Sequence, residues 1–191
     1  MKKFKIIYGK ETIRGKVPNK FNELTVKQWR YLRPNVTDTE LMSILTGIDK
    51  IKIENSKVDL SEIVKIVYQG ILEAPEDFNN LEKKPIYILG EEIKFPKNIN
   101  FTMYGQKAMA TNAITECEDL REIVSDLIAI YAQPSIDGQF DSTKVKRVKN
   151  YVDNMPLVTC WPWAVFFLKK SKMQKKSLLS DYRIYQKLPS K

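Results

Sequence analysis

Few residues in this 191-residue sequence could carry out catalysis. Histidine is absent, so a Ser-His-Asp triad, a Cys-His pair and a His-ligated metal are excluded. Two cysteines, Cys117 and Cys160, are too few for a four-cysteine zinc site or a disulfide framework, and we expect free thiols in a reducing cytoplasm. The seven glycines form neither a G-x-G-x-x-G nor a Walker A pattern, so no nucleotide-binding loop is predicted.

Two acidic patterns could form metal sites. Glu92-Ile93-Lys94 matches the E-x-K fragment of metal-dependent nucleases, but a nuclease needs a further carboxylate, and Asp49, Asp59 and Asp77 lie in unrelated contexts. A second cluster could hold Mg²⁺ through its oxygens and comprises Glu116, Glu118, Asp119 and Glu122. Acids are also favoured near a helix N-terminus, and Thr115 with Glu118 has the spacing of a capping box. We therefore predict a non-enzymatic protein with no catalytic residue, metal or cofactor.

The positive charge is unevenly distributed. The formal net charge is +9, of which residues 169–191 contribute +7, since they hold eight basic residues and only Asp181 as an acid. The apolar positions Leu178, Tyr182 and Tyr185 have roughly helical spacing within this segment. The segment is interpreted either as a solvated tail or as a surface for phosphates or an acidic protein.

A second basic run lies earlier in the chain and comprises Lys144, Lys146, Arg147 and Lys149. Tyr151 is close to it in sequence, and Tyr182 and Tyr185 accompany the basic segment, so that all three could stack on bases. Because no helix-turn-helix, zinc-finger or RRM signature is present, contact with nucleic acid would involve the backbone without base reading. Contact with DNA through the basic C-terminus is one alternative.

The chain looks duplicated. Two parts of the sequence share the same pattern. Each begins with a short β-rich run, Lys5 to Tyr8 or Ile86 to Leu89, which is followed by a glycine-containing turn and by a second run that ends in proline, Pro18 or Pro96. This pattern predicts two β-hairpins. Each proline is followed by a threonine that could cap a helix, Thr25 or Thr102, and by a glutamine, Gln28 or Gln106. The prolines and the glutamines are both 78 residues apart.

Helical patterns follow each hairpin. Residues 37–49 pair loosely with 118–131, and residues 58–72 pair with 140–152, with Asp59 and Asp141 as expected N-caps. The clearest apolar stripe consists of Leu120, Ile123, Val124, Leu127, Ile128 and Tyr131. The segments 58–72 and 140–152 each have an apolar helical face. This face consists of Ile63, Ile66, Val67 and Ile71 in the first copy, and of Val145, Val148, Val152 and Met155 in the second.

The most aromatic segment, residues 155–168, is unique and precedes the basic segment. It is interpreted as a core helix with Pro162 in its first turn, or as an aromatic anchor for a partner. The partner-contact candidates are Trp161, Trp163, Phe166, Phe167, Lys169, Lys170, Lys172, Lys175, Lys176, Tyr182, Arg183 and Tyr185.

Several short phrases stand out along residues 3 to 168: FNELTVKQW (21–29), SILTGID (43–49), YGQ (104–106), LIAIYAQP (127–134) and Phe166-Phe167. Together they resemble small morphogenesis proteins of tailed bacteriophages, in particular crAss-like and other phages of gut Bacteroidetes. The resemblance implies packaged DNA as a contact of the basic C-terminus only as an alternative. It implies a virion component of the portal–tail region, or a tail assembly chaperone absent from the finished particle. It implies no catalytic residues, and the basic C-terminal segment is not part of the pattern.

The predicted fold is α+β and mainly α-helical, with two repeats of a short β-hairpin followed by two or three helices, plus a C-terminal helical extension. The expected divisions are residues 1–82, 83–155 and 156–191. The predicted function is a neck or tail (portal-proximal) ring or adaptor subunit, located in the virion and, during assembly, in the host cytoplasm. Expected partners are portal, ring or tail proteins and further copies in a cyclic homo-oligomer, with no membrane. Alternatives are a tail assembly chaperone and a sequence-independent nucleic-acid-binding protein.

Overall fold

The fold is α+β and mainly helical with two antiparallel hairpins, which confirms the predicted class. The computed structural model describes all residues except 34, 58–63, 66–69, 72–77, 79–80, 99–100 and 187–191, and only the backbone of 177–186. The expected cap Asp59 and the helical positions Ile63, Ile66 and Val67 lie outside the described residues.

The chain divides into two compact units. Unit 1 comprises residues 1–81 and 154–159, and unit 2 comprises residues 82–153 and 160–191. Residues 156–191, expected as a separate segment, are thus shared between the units. Unit 1 contains β1 (Lys2–Tyr8), β2 (Glu11–Val17), a 3₁₀ turn (Phe21–Glu23), α1 (Val26–Tyr31), α2 (Asp38–Thr46) and α3 (Lys50–Glu54). Unit 2 contains β3 (Ile86–Ile88), β4 (Glu91–Ile93), α4 (Tyr104–Glu116), a 3₁₀ turn (Leu120–Ile123), α5 (Val124–Asp137) and α6 (Ser142–Asp153). Helix α7 (Leu157–Gln186) begins in unit 1 and continues in unit 2.

The first hairpin buries one face and exposes the other. Side chains alternate along a strand, so Phe4, Ile6 and Val17 point to the core, and all three are buried. Gly15 lies opposite Phe4, whose ring occupies the space that a Cβ at this glycine would need. The two-residue turn has Gly9 at φ +58°, a value that glycine adopts without steric cost. The hairpin is therefore fixed in register by one apolar face.

The second hairpin is shorter and has a different turn. Leu89 and Gly90 both have positive φ, 53° and 91°, as a type I′ turn requires at its two central residues. Ile86, Ile88 and Ile93 are buried on one face, and Tyr87 pairs with Glu92 on the other. The Tyr87 hydroxyl donates to Glu92 at 2.9 Å, and this contact raises the pKa of the phenol.

Equivalent glutamines perform the same task in the two units. The Oε1 atom of Gln28 accepts from the N–H of the helix N-cap Thr25 at 2.9 Å, and its Nε2 donates to the carbonyl of Leu45 in α2 at 2.8 Å. The Oε1 atom of Gln106 accepts from the N–H of Met103 at 3.3 Å, and its Nε2 donates to Ile130 in α5 at 2.8 Å. Each glutamine thus ties the start of one helix to the next helix, which supports the duplication.

Two predicted caps were wrong. The second repeat places Met103 and not Thr102 at the N-cap, so the match to Thr25 has no hydroxyl and makes no side-chain cap hydrogen bond. Thr115 lies inside α4 and donates to the carbonyl of Thr111, so it does not form a capping box with Glu118. Asp119 caps the following 3₁₀ turn instead, accepting from the N–H of Arg121 at 2.9 Å.

The helical periodicity of the second repeat is confirmed. In the predicted stripe, Ile123, Val124, Leu127 and Ile128 are buried, while Leu120 and Tyr131 are half-buried. Helix α5 ends at Gly138 in the left-handed conformation, as α2 ends at Gly47. In α6, Val145, Val148 and Val152 are buried, and Asp141 caps the helix by accepting from the N–H of Thr143 at 3.0 Å. Met155 is also buried but follows the end of α6.

Candidate partner-binding surface

Helix α7 carries all twelve predicted partner-contact residues, and its aromatic part belongs to the core. Trp163 and Phe167 are fully buried, which is the outcome that the core interpretation predicts and which removes them as partner contacts. Trp161 and Phe166 are half-buried. Pro162 is the sixth residue of the helix and not part of its first turn. Its missing N–H leaves the carbonyl of Val158 without its usual helical donor.

Five aromatic rings of unit 2 form an edge-to-face cluster around the buried Trp163 and Phe167. Phe95 contacts Trp163 and Phe166 with centroids 5.2 and 5.4 Å apart. Tyr131 contacts Trp163 at 5.9 Å and Phe167 at 6.1 Å, and its burial raises the pKa of the phenol. The indole Nε1 of Trp163 donates to the carbonyl of Lys84 at 3.1 Å, so the polar end of this ring is satisfied. The cluster holds α7 in a fixed rotation about its axis.

That rotation sets which basic residues face outward. Ser171 is fully buried, Gln174 donates to the hydroxyl of Thr111 at 3.4 Å, and the Lys175 ammonium donates to the carbonyl of Cys117. At 100° per residue, the opposite side of the helix carries Lys169, Lys172, Met173 and Lys176, with Lys170 beside them. We call these five residues the α7 basic face. All are exposed, and within the described part of the chain none of its lysines has an ion-pair partner.

Tyr182, Arg183 and Tyr185 continue α7 as helical residues, and their side chains lie outside the described part of the structure. Lys175 belongs to the inner side of α7, since its ammonium donates a hydrogen bond to the carbonyl of Cys117 in the same chain. Of the predicted cationic contacts whose side chains the structure describes, four therefore remain candidates for a partner: Lys169, Lys170, Lys172 and Lys176.

The earlier basic run on α6 is largely neutralised within unit 2. Arg147 donates to Asp137 at 3.0 Å, Lys149 lies 2.7 Å from Asp126, and Lys144 lies 3.9 Å from Asp137. The pKa of Asp137 is lowered first by its hydrogen bond from Gln133 and then by Arg147 and Lys144. Three of the four cations in this run are thus paired with acids of α5, while Lys146 is exposed.

The cysteines and several of the acids considered as catalytic or metal-binding residues are buried or take part in structural contacts. Burial raises the pKa of the Cys160 thiol to about 12, and it also raises that of the half-buried Cys117. Glu92 is bonded to Tyr87, and Asp49 caps α3. Among the described residues, no group of three or more cysteine, aspartate or glutamate side chains is placed to hold a metal ion. Asp77 lies outside that part of the chain.

A cavity of about 380 Å³ lies within unit 1, between the start of α1 and the end of α2. Lys27 is the one charged side chain among its lining residues, which also include Tyr31, Ser43 and Asn154. Its lining contains no aspartate, glutamate or cysteine.

Sequence reasoning missed a second cationic surface, on the first hairpin. Its exposed face carries four basic residues: Lys3, Lys5, Arg14 and Lys16. The sequence signal for this surface is the spacing of two between basic residues on each strand, which places them on the same face. Net charge concealed it, since residues 1–168 together carry only +2.

Within the described residues, no helix is long and apolar enough to cross a membrane. A scan of protein-family models and searches of curated proteins and of solved structures each found no match to this chain.

Proposed function

We propose that this chain is a non-enzymatic structural subunit of a tailed phage particle, a neck or tail ring or adaptor protein that acts through protein–protein contacts. The observation that carries the proposal is the α7 basic face, where Lys169, Lys172 and Lys176 line up at helical spacing with no acid of the described chain to neutralise them. The resemblance to phage morphogenesis proteins supplies the setting.

The chemistry of this face suits an acidic protein surface. Met173 is 65% exposed among the lysines, and a flexible thioether adapts to the contours of a partner. The surrounding charges would steer association and fix the register of the contact. In a cyclic ring, such a face meets a different surface of the neighbouring subunit, or an acidic surface of the portal or tail proteins.

Quantitative mass spectrometry on purified particles tests the role. A fixed, near-integer ratio of this chain to the portal protein is expected. Absence from particles, together with abundance in the infected-cell lysate, would contradict a virion subunit and favour the tail assembly chaperone.

Charge reversal tests the surface. We expect particles grown with K169E/K172E/K176E to contain at least tenfold less of the chain, because three repulsive contacts replace three attractive ones. The matched control K97E/K107E/K146E changes the same charge at exposed lysines elsewhere in unit 2 and should be incorporated normally. Equal losses in both variants would show that net charge matters and the α7 basic face does not. This comparison is sharper than deleting residues 169–191, which would also remove the buried Ser171.

A further inference from the structure

We propose that the exposed face of the first hairpin binds the phosphate backbone of double-stranded DNA. This face consists of Lys3, Lys5 and Ile7 on β1 and of Thr12, Arg14 and Lys16 on β2, and we call it the hairpin basic face. It is separate from the α7 basic face and belongs to unit 1, so the inference stands or falls independently of the proposed phage role.

The register concentrates the charge. Lys3 lies opposite Lys16, and Lys5 lies opposite Arg14, so each pair consists of like charges. Directly opposite residues have Cβ atoms about 4.5–5.5 Å apart. Neighbours two apart on one strand are separated by about 6.6 Å. Four cations therefore occupy one small patch.

None of these charges is neutralised within the described residues. Lys3, Lys5, Arg14 and Lys16 take part in no ion pair there, and no acid shares their face of the hairpin. The acid of this hairpin, Glu11, lies on the opposite face and pairs with Lys52 at 3.6 Å. A patch of this kind attracts a linear polyanion more strongly than isolated surface lysines do.

The hairpin fold does not require this charge. In the second hairpin the same exposed position holds the neutral and acidic pair Tyr87 and Glu92, joined by a hydrogen bond. Like charges placed directly opposite each other destabilise a sheet. The first hairpin thus carries an unfavourable arrangement that a polyanion would relieve.

Hydrogen-bond donors accompany the charges. Lys57 donates its N–H to the carbonyl of Ile7. The carbonyl of Ile7 therefore points away from β2. By alternation, Thr12, Arg14 and Lys16 point their N–H groups to the free edge of β2, where no donor or acceptor of the described chain meets them. Backbone N–H and threonine hydroxyl groups are common phosphate ligands.

The composition of the face selects duplex DNA among polyanions. It has no aromatic side chain, so it lacks the stacking platform that binds unpaired bases. Its one apolar side chain, Ile7, is 37% exposed and offers too little surface for insertion into a membrane. With lysine and arginine on one face, contacts go to phosphates, and we expect no sequence preference.

The test is fluorescence anisotropy of the full chain with two 24-base-pair duplexes of unrelated sequence. If four phosphates are neutralised, the logarithm of the association constant falls with the logarithm of the salt concentration at a slope of about −3.6. The affinity should therefore fall roughly 150-fold between 50 and 200 mM salt. Both duplexes should bind equally. Tighter binding to single strands, or binding to phosphatidylserine vesicles but not to duplex, would overturn the proposal.

Two variants of equal charge locate the site. K3Q/K5Q/R14Q/K16Q should lose at least 100-fold in affinity at 50 mM salt and most of the salt slope, whereas K169Q/K170Q/K172Q/K176Q should change affinity less than threefold. Wild-type binding by the first variant, or equal losses in both, would refute the hairpin basic face. The charge-retaining variant K3R/K5R/R14K/K16K should bind like the wild type, and its failure to do so would show that charge does not carry the binding.

Discussion

The like-charge pair formed by Lys5 and Arg14 should cost stability, and reversing one charge should recover it. With about 7 Å between the charged groups, Coulomb's law in water gives ~0.6 kcal/mol of repulsion. Screening at 0.15 M ionic strength, where the Debye length is about 8 Å, reduces this to ~0.25 kcal/mol. Arg14→Glu turns repulsion into attraction, so the free energy of unfolding should rise by about 0.5 kcal/mol, within the range of roughly 0.2–1 kcal/mol for cross-strand pairs.

The assay is urea unfolding followed by circular dichroism and by tryptophan fluorescence, to which Trp29 contributes from unit 1 and Trp161 and Trp163 contribute from unit 2. Lys5→Glu should stabilise the hairpin as Arg14→Glu does. The double variant K5E/R14E restores like charges across the pair, so its pair energy should return to that of the wild type.

Salt separates this explanation from changes in packing or β-propensity. At 0.01 M salt the gain from Arg14→Glu should approach ~1 kcal/mol, and at 1 M salt, where the Debye length is about 3 Å, it should vanish. A gain that is independent of salt, or additive gains in K5E/R14E, would refute the electrostatic reasoning.

Three further outcomes are expected. Gly15→Ala should destabilise the hairpin by roughly 1–3 kcal/mol, measured by urea unfolding, because the new Cβ would lie 2.5 Å from the Phe4 ring. The Lys50 ammonium lowers the pKa of Glu40 to about 2, so this carboxylate stabilises the fold above its ordinary pKa of 4.5, and the contribution is lost as pH falls toward 2. Glu40→Gln should therefore flatten the pH dependence of stability between pH 4.5 and 2, and an unchanged profile would contradict the contact. The Cys160 thiol, fully buried with its pKa at about 12, should resist iodoacetamide at pH 8 until the protein unfolds, as mass spectrometry of the alkylated chain can show.

Local features were predictable because they depend on neighbours in the sequence. The stripe of α5 has helical period, and its central residues Val124, Leu127 and Ile128 are buried as expected. The duplicated glutamines were visible as a constant spacing, although their shared bond to the next helix was not. Fold class followed from the same local signals.

Long-range partners were not predictable, and they decide which charges are available. Lys149 is adjacent to other cations in sequence, yet its ammonium lies 2.7 Å from Asp126, which is 23 positions earlier. The core or surface role of Trp163 depended on the rings of Phe95 and Tyr131, which belong to other elements. Composition alone could not distinguish a paired lysine from a free one.

The register of the first hairpin explains why a body of nearly neutral sequence still presents a cationic surface. Basic and apolar residues alternate on β1, so one face takes Phe4 and Ile6 into the core while the other gathers Lys3 and Lys5. Because β2 pairs in the register that sets Arg14 opposite Lys5, the two strands add their charges on one side. A shift of the strand register by one residue would expose the apolar side chains and bury the cations. Burial of the apolar side chains therefore also determines which face carries the charge. The hairpin basic face is thus a consequence of the same packing that holds unit 1 together, which is why its substitution to neutral residues should remove binding without removing the fold.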